Sequence, residues 1–229
     1  MPEIGCRSRS AVFSRRREGQ VLKSISMLVS VSLLVVASSA VSGRGGAEKG
    51  ARSSNDLSDL EIADLLFMRE EEKLARDSYI VLHELWGEAV YSNISISEQQ
   101  HMDAMEKLLD KYGLPDPVAD EDDVGSFVDD ELDVLFTYLM DLGEESALAG
   151  LNVGGLIEEK DMHDIQAAID AADHQDIKDV YGSLLCGSRN HLRSFVKNIE
   201  LAGSTYTASV LPQDEVDEIA NSPMEQCGG

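Results

Sequence analysis

Residues Ile94–Tyr112 read ISISEQQHMDAMEKLLDKY. At about 100° per residue, Glu98, His101, Met105, Leu108 and Tyr112 fall within a roughly 100° arc, so the stretch reads as one amphipathic helix. Its apolar face carries a carboxylate and an imidazole three residues apart. Burying an unpartnered charge costs on the order of several kcal/mol. A metal ion held by Glu98 and His101 together would remove that cost. A single Glu-x-x-His pair also arises by chance, with Glu98 capping a first turn and His101 an ordinary half-buried histidine. The reading therefore turns on what other helices bring to the same face.

Upstream, Ser58-Asp59-Leu60-Glu61 offers an N-cap with its capping residue, and a long helix is predicted over Leu60–Leu85. Leu65, Met68, Ala75, Tyr79, Leu82 and Trp86 form its apolar face. Glu72 lies at the centre of that face and needs a partner. Glu71 lies at its edge, and Glu70 and Lys73 fall outside it, Glu70 reading as part of a solvated charge run. Gly87 ends this helix, Val90–Ser95 reads as the join to the next, and Gly113 ends that one, giving an antiparallel hairpin.

Leu114–Ser126, LPDPVADEDDVGS, reads as a loop, with the acidic run Asp120–Asp123 solvated and lacking the spacing of a calcium loop. A shorter helix is predicted over Asp130–Leu142, so this segment serves as a crossover. A third long helix, Ser146–Ala172, has an inner stripe of Leu151, Gly154, Glu158, Asp161, Ile165, Ala168 and Ile169. His163 points away from it. Gly154-Gly155 weakens the helix by about 1 kcal/mol per glycine and implies close approach of another helix. A fourth helix starts near Gln175 and runs to about Leu201, with Ser188 and His191 on its inner face and Arg189 and Arg193 at its edges. A short helix is expected near Asp214–Ala220. Four helices thus each bring a polar group of ligand type inward, while no buried lysine or arginine is evident to balance them.

The 229 residues carry a net charge of −24. Without a basic face to neutralise phosphates, nucleic acid is excluded as an ordinary partner. Residues 1–40 differ from the rest: Arg7, Arg9, Arg15, Arg16, Arg17 and Lys23 precede the apolar run Met27–Val36, and small residues follow up to Ala40. This is the pattern of a signal peptide, and the run is short for a membrane span. Export with cleavage after Ala40 is expected, leaving no stable membrane span in the mature form; a retained N-terminal anchor is the alternative. Removing residues 1–40 takes away six basic and two acidic groups and leaves −28. Residues 41–56 read as a flexible linker and 207–229 as an acidic tail. Cys6 leaves with the leader, and Cys186 and Cys227 remain to pair or stay free.

Between them, MREEEKLARDSY (Met68–Tyr79), NISISEQQHMDAMEKLLDKYGLPDP (Asn93–Pro117), GGLIEEKDMHDI (Gly154–Ile165) and GSRNHLRSF (Gly187–Phe195) resemble the ferritin-like superfamily. More narrowly, they resemble a prokaryotic ferritin-like domain family of unknown function. The resemblance implies an all-α, ferritin-like four-helix bundle over residues 57–206, running up-down, crossover, up-down, with a long crossover that carries an extra short helix. It also implies metal ligands at Glu72, Glu98, His101, Glu158 and His191. Carboxylate-bridged di-iron bundles use one glutamate from each of two helices and Glu-x-x-His from each of the other two. This chain has Ser188 where the fourth helix should supply a glutamate. Asp161 is the candidate replacement, or the site holds one metal, or two with an open position. The implied cofactor is iron, as a di-iron or mononuclear site, or manganese. The implied function is that of an exported metal-binding protein with Fe(II)-oxidising or peroxide-related redox activity. A non-catalytic envelope metal-binding or partner-interaction module is the alternative, and a homodimer is an open alternative to a monomer.

Overall fold

The computed structural model describes residues 57–118 and 120–227. The leader and linker expected over 1–56 lie outside these residues. Among the described residues the chain forms six α-helices and no strand: α1 Asp59–Trp86, α2 Ala89–Tyr112, α3 Asp130–Gly143, α4 Ala147–Ala171, α5 Gln175–Leu201 and α6 Gln213–Asn221. No helix among them is long and apolar enough to cross a membrane.

The start of α1 is fixed by its capping box. Ser58 Oγ accepts the Glu61 N–H at 3.2 Å, and Glu61 accepts the Ser58 N–H at 2.9 Å. Glu61 does more than close its own helix. Its other oxygen accepts the backbone N–H groups of Asp173 and His174 and lies 2.7 Å from the His174 ring, tying α1 to the start of α5. Burial pushes the Glu61 carboxyl up, but the hydrogen bonds from Ser58, His174 and Asp173 outweigh it and bring it down from 4.5 to about 2. A depressed carboxylate contributes stability that is fully present above its unfolded value and lost as pH falls through its folded value. The melting-temperature difference between the native chain and Glu61→Gln should therefore be largest above pH 5 and vanish toward pH 2. A difference that grows on acidification would refute this.

Gly87 and Gly113 terminate α1 and α2 in the left-handed conformation, with φ of 71° and 69°. Only Gly87 and Glu88 separate α1 from α2, so the predicted crossing segment Val90–Ser95 is instead the first turns of α2. Its Ser, Asn and β-branched residues are weak helix formers, but Val90, Tyr91 and Ile94 share one buried face, and burial decides. The α4–α5 connection is three residues, 172–174. Gly154 and Gly155 do sit at close approaches: a methyl on Gly154 would come within 2.3 Å of the Phe195 ring on α5, and one on Gly155 within 2.6 Å of Tyr206.

Helix directions follow from two apolar clusters. One contains Tyr79 and Leu82 from the end of α1, Tyr91 and Ile94 from the start of α2, Leu151 and Val153 from the start of α4, and Phe195 and Ile199 from the end of α5. The other joins Leu65, Met105, Ile165 and Tyr181 from the opposite ends. Thus α1 and α5 run one way, and α2 and α4 run the other. The course is up-down, crossover, down-up, which corrects the expected second up-down. Residues 114–146 must return along the outside to the end where α2 began, and α3 packs on α1 and α4 as they do so.

The crossover is held by the charged face of α1. Arg69 pairs with Asp116 and Glu121. Lys73 donates to the Asp123 carbonyl, and Arg76 to that of Glu121. Glu70 accepts the N–H groups of Val128 and Asp129. Beneath them, Asp77 takes Lys73 at 2.5 Å, Arg76 at 2.7 Å and the Gly125 N–H at 2.9 Å. Glu70 and Lys73 are therefore buried, not solvated, and buried cations are present at Arg69, Lys73 and Arg76. Both expectations, a solvated Glu70 and no buried lysine or arginine, fail because the crossover covers a second face of α1.

The segment after α5 folds back. Glu159 accepts the N–H groups of Ser209, Val210 and Leu211, and the Tyr206 hydroxyl at 2.5 Å. Then α6 packs on α5. Arg189 and Arg193 both pair with Glu225, and Cys186 is disulfide-bonded to Cys227. A bond closing a loop of this length contributes about 4 kcal/mol on the chain-entropy account.

Candidate metal centre

Between the two apolar clusters each long helix changes character for about one turn. On α1 the change is at Glu72, on α2 at Glu98 and His101, on α4 at Glu158 and Asp161, and on α5 at Ser188 and His191. All of these are buried except His101, whose side chain keeps 12% of its exposure. The structure brings all six sequence-predicted ligand residues into one belt, and it leaves His163 outside, on the surface with Asp164.

The geometry centres on Glu98. Its Oε2 lies 2.7 Å from His101 Nδ1, and its Oε1 lies 2.8 Å from His191 Nδ1. Glu72 Oε2 is 3.1 Å from His101 Nδ1, and Glu158 Oε2 is 3.4 Å from His191 Nδ1. Two sets of three ligand atoms result, Glu72–Glu98–His101 and Glu98–Glu158–His191, each within 4.8 Å of one another and sharing Glu98. Both Glu98 oxygens, Glu158 Oε2 and His191 Nδ1 approach closely yet lack the alignment of a hydrogen bond, and Asp161 Oδ2 has no partner. Close, misaligned donors and acceptors among buried side chains are costly on their own. They are what a ligand cage around a cation presents, so the residues fit a carboxylate–imidazole metal site.

The charges are strongly coupled. Burial would raise Glu98, but His191 and then His101 outweigh it and hold it well below the usual carboxylate range. Burial raises Glu72 to about 7, with His101 offsetting only part. It raises Glu158 too, against the pull of His191. Asp161 is driven well up by burial and then by the charges of Glu71, Glu158, Glu72 and Glu98. Burial lowers the histidines, but Glu72 and Glu98 lift His101 well above its ordinary value, and Glu98 and Glu158 lift His191 to about 10.

Three further groups shape the site, and none stood out in the sequence. Ser97 Oγ lies 2.9 Å from His191 Nε2 and fixes the far side of that ring; it precedes Glu98 and sits beside the apolar stripe, so periodicity passes over it. Tyr79 donates to Glu158 Oε1, leaving Oε2 for the centre. On the stripe it read simply as an apolar residue. Gly187 makes room for His101, whose Nε2 a methyl there would meet at 2.5 Å. Ser188 is buried and donates to the Leu184 carbonyl, so its hydroxyl faces its own helix. Outside the centre, Glu71 is paired at 2.6 Å with Lys160, which also binds Asp164.

The comparisons with known proteins agree with this fold. The chain belongs to the family described as uncharacterized protein domain (DUF2202), which matches residues 61–223. It is similar to the uncharacterized protein MJ0754 of Methanocaldococcus jannaschii, with 42% identity over 170 residues, 74% of this chain and 91% of the relative. The crystal structure of hypothetical protein MJ0754 from Methanococcus jannaschii aligns with a TM-score of 0.72 at 42% identity, over 74% of this chain and 97% of the other.

Proposed function

We propose that the chain is a metal-dependent redox protein on a ferritin-like four-helix bundle, exported after loss of residues 1–40. Glu72, Glu98, His101, Glu158 and His191 hold two iron or manganese ions. The observation that carries this reading is the pair of three-ligand sets sharing Glu98. Carboxylate oxygens with imidazole nitrogens suit these metals. When bound, the pair supplies one-electron chemistry at each ion, for oxidising Fe(II) or reducing a peroxide. The chain's own residues set the frame: Glu98 offers one oxygen to each side, Glu72 and His101 complete one side, and Glu158 and His191 the other. Asp161, buried with an oxygen unpartnered, is the carboxylate available where Ser188 supplies none. Ser97 and Tyr79 hold His191 and Glu158 in place.

Elemental analysis of the purified chain should find two metal ions per chain, and aerobic Fe(II) should oxidise faster than in buffer. A metal-free chain that binds neither Fe(II) nor Mn(II) would sink the reading; binding without faster oxidation would leave a metal protein that is not an oxidase. Metal binding needs neutral imidazoles, so it competes with protons. The metal-free chain holds those protons above the ordinary histidine range, His191 up to about 10, and Glu72 up to about 7. Apparent Mn(II) affinity should therefore keep rising between pH 6 and 8.5, roughly tenfold per unit for each proton displaced. Chelator competition that shows a plateau above pH 7 would contradict the proposed ligands.

A further inference from the structure

Resting on the two-metal reading above, we propose that Cys186 and Cys227 are the electron source of the centre. Reduced, they would be a dithiol that supplies the two electrons for reduction of a hydroperoxide at the centre, closing to the disulfide in doing so. A pocket of about 510 Å³ between α2 and α5 is lined by Ser97, His101, Gly187, Asn190, His191 and Cys227, among others. Both site histidines and Cys227 thus line the same pocket. Asn190, next to His191 in the chain, donates to Cys227 Sγ at 3.2 Å and fixes that sulfur on the pocket wall. Cys186 is the neighbour of Gly187, whose Cα lies against the His101 ring. No other cysteine occurs among the described residues.

The stoichiometry matches. One hydrogen peroxide and two thiols give two waters and one disulfide. The O–O bond and two S–H bonds break, while one S–S and two O–H bonds form. The two electrons leave the sulfurs and end on the peroxide oxygens. Cys186 is buried and Cys227 half-buried, so an external dithiol would attack Cys227 to restore the pair. The tail does not depend on the bond alone. Glu225 is held by Arg189, by Arg193 and by Asn190.

The test uses the full chain reduced with dithiothreitol, freed of it, loaded with Mn(II) or Fe(II), and given one equivalent of hydrogen peroxide without oxygen. Iodoacetamide quenching and mass spectrometry then read the Cys186–Cys227 disulfide with time, and elemental analysis reads metal in the same sample. The disulfide should re-form at least tenfold faster in the loaded chain than in the metal-free chain. Equal rates with metal bound would overturn the dithiol role and leave the metal reading intact, whereas absence of bound metal would overturn both. Loss of helical circular dichroism or of metal on reduction would show the bond to be structural and overturn the proposal. With dithiothreitol present, the Cys186→Ser/Cys227→Ser chain should keep its metal but stop after one turnover of peroxide. Sustained turnover equal to that of the native chain would overturn the proposal.

Discussion

Glu98→Ala should abolish binding of both metal ions, whereas Glu72→Ala should lower the content by one. Glu98 is the only residue in both ligand sets. Its two oxygens lie on opposite sides, one toward His101 and one toward His191. Removing it strips a ligand from each ion and also takes away the negative charge that each histidine faces. A ligand present at a hundred times Kd stabilises the folded chain by about 2.7 kcal/mol. For a domain of this size that is a rise in Tm of about 5–10 °C. The rise should disappear in Glu98→Ala and persist in part in Glu72→Ala. Elemental analysis with thermal melts, with and without Mn(II), checks both. Equal losses in the two variants would show that Glu98 is no more central than Glu72.

A second large effect is expected far from any ligand. Asp77→Ala should destabilise the chain by about 3–5 kcal/mol, because removing one partner of a buried ion pair strands the other. Asp77 is fully buried and faces both Lys73 and Arg76, which are 2% and 5% exposed, and it also accepts the Gly125 N–H. The loss would unseat the crossover from α1. Asp77→Asn keeps the acceptor but not the charge and should fall between. Adding Lys73→Met to Asp77→Ala should recover part of the loss by removing one stranded cation. Urea unfolding of the four chains checks the order, and a cost below about 1 kcal/mol for Asp77→Ala would mean that Lys73 and Arg76 find water instead.

What the sequence made legible was the inward face of each helix. Glu72, Glu98, His101, Glu158, Asp161 and His191 each interrupt an apolar stripe at helical register, and the structure gathers all six. Periodicity reports one buried face per helix, and α1 has two. Glu70, Lys73, Arg76 and Asp77 lie on the face covered by the crossover, where burial is arranged by ion pairs and so leaves no apolar signature. The start of α2 was missed for the opposite reason: Val90, Tyr91 and Ile94 are buried, but intrinsic propensity argues against a helix there. Directions were not legible either. A connection of residues 114–146 fits α4 running either way, and only the joint membership of Tyr91 and Leu151 in one apolar cluster decides it. Ser97 lies off the stripe and matters only because α5 brings His191 beside it.

Each helical hairpin carries three of the six residues, but the two ligand sets are not built alike. Glu72, Glu98 and His101 all stand on α1 and α2, which are joined by two residues, so one coordination set is complete within a local unit of the chain. The other borrows Glu98 across the seam and exists only once α4 and α5 have docked to place Glu158 and His191 against it. The two positions are therefore inequivalent in order of assembly. On this reading the first is available to a cation while the rest of the molecule is still forming. The second is a sensor of docking, last to appear and first to fail when the hairpins part.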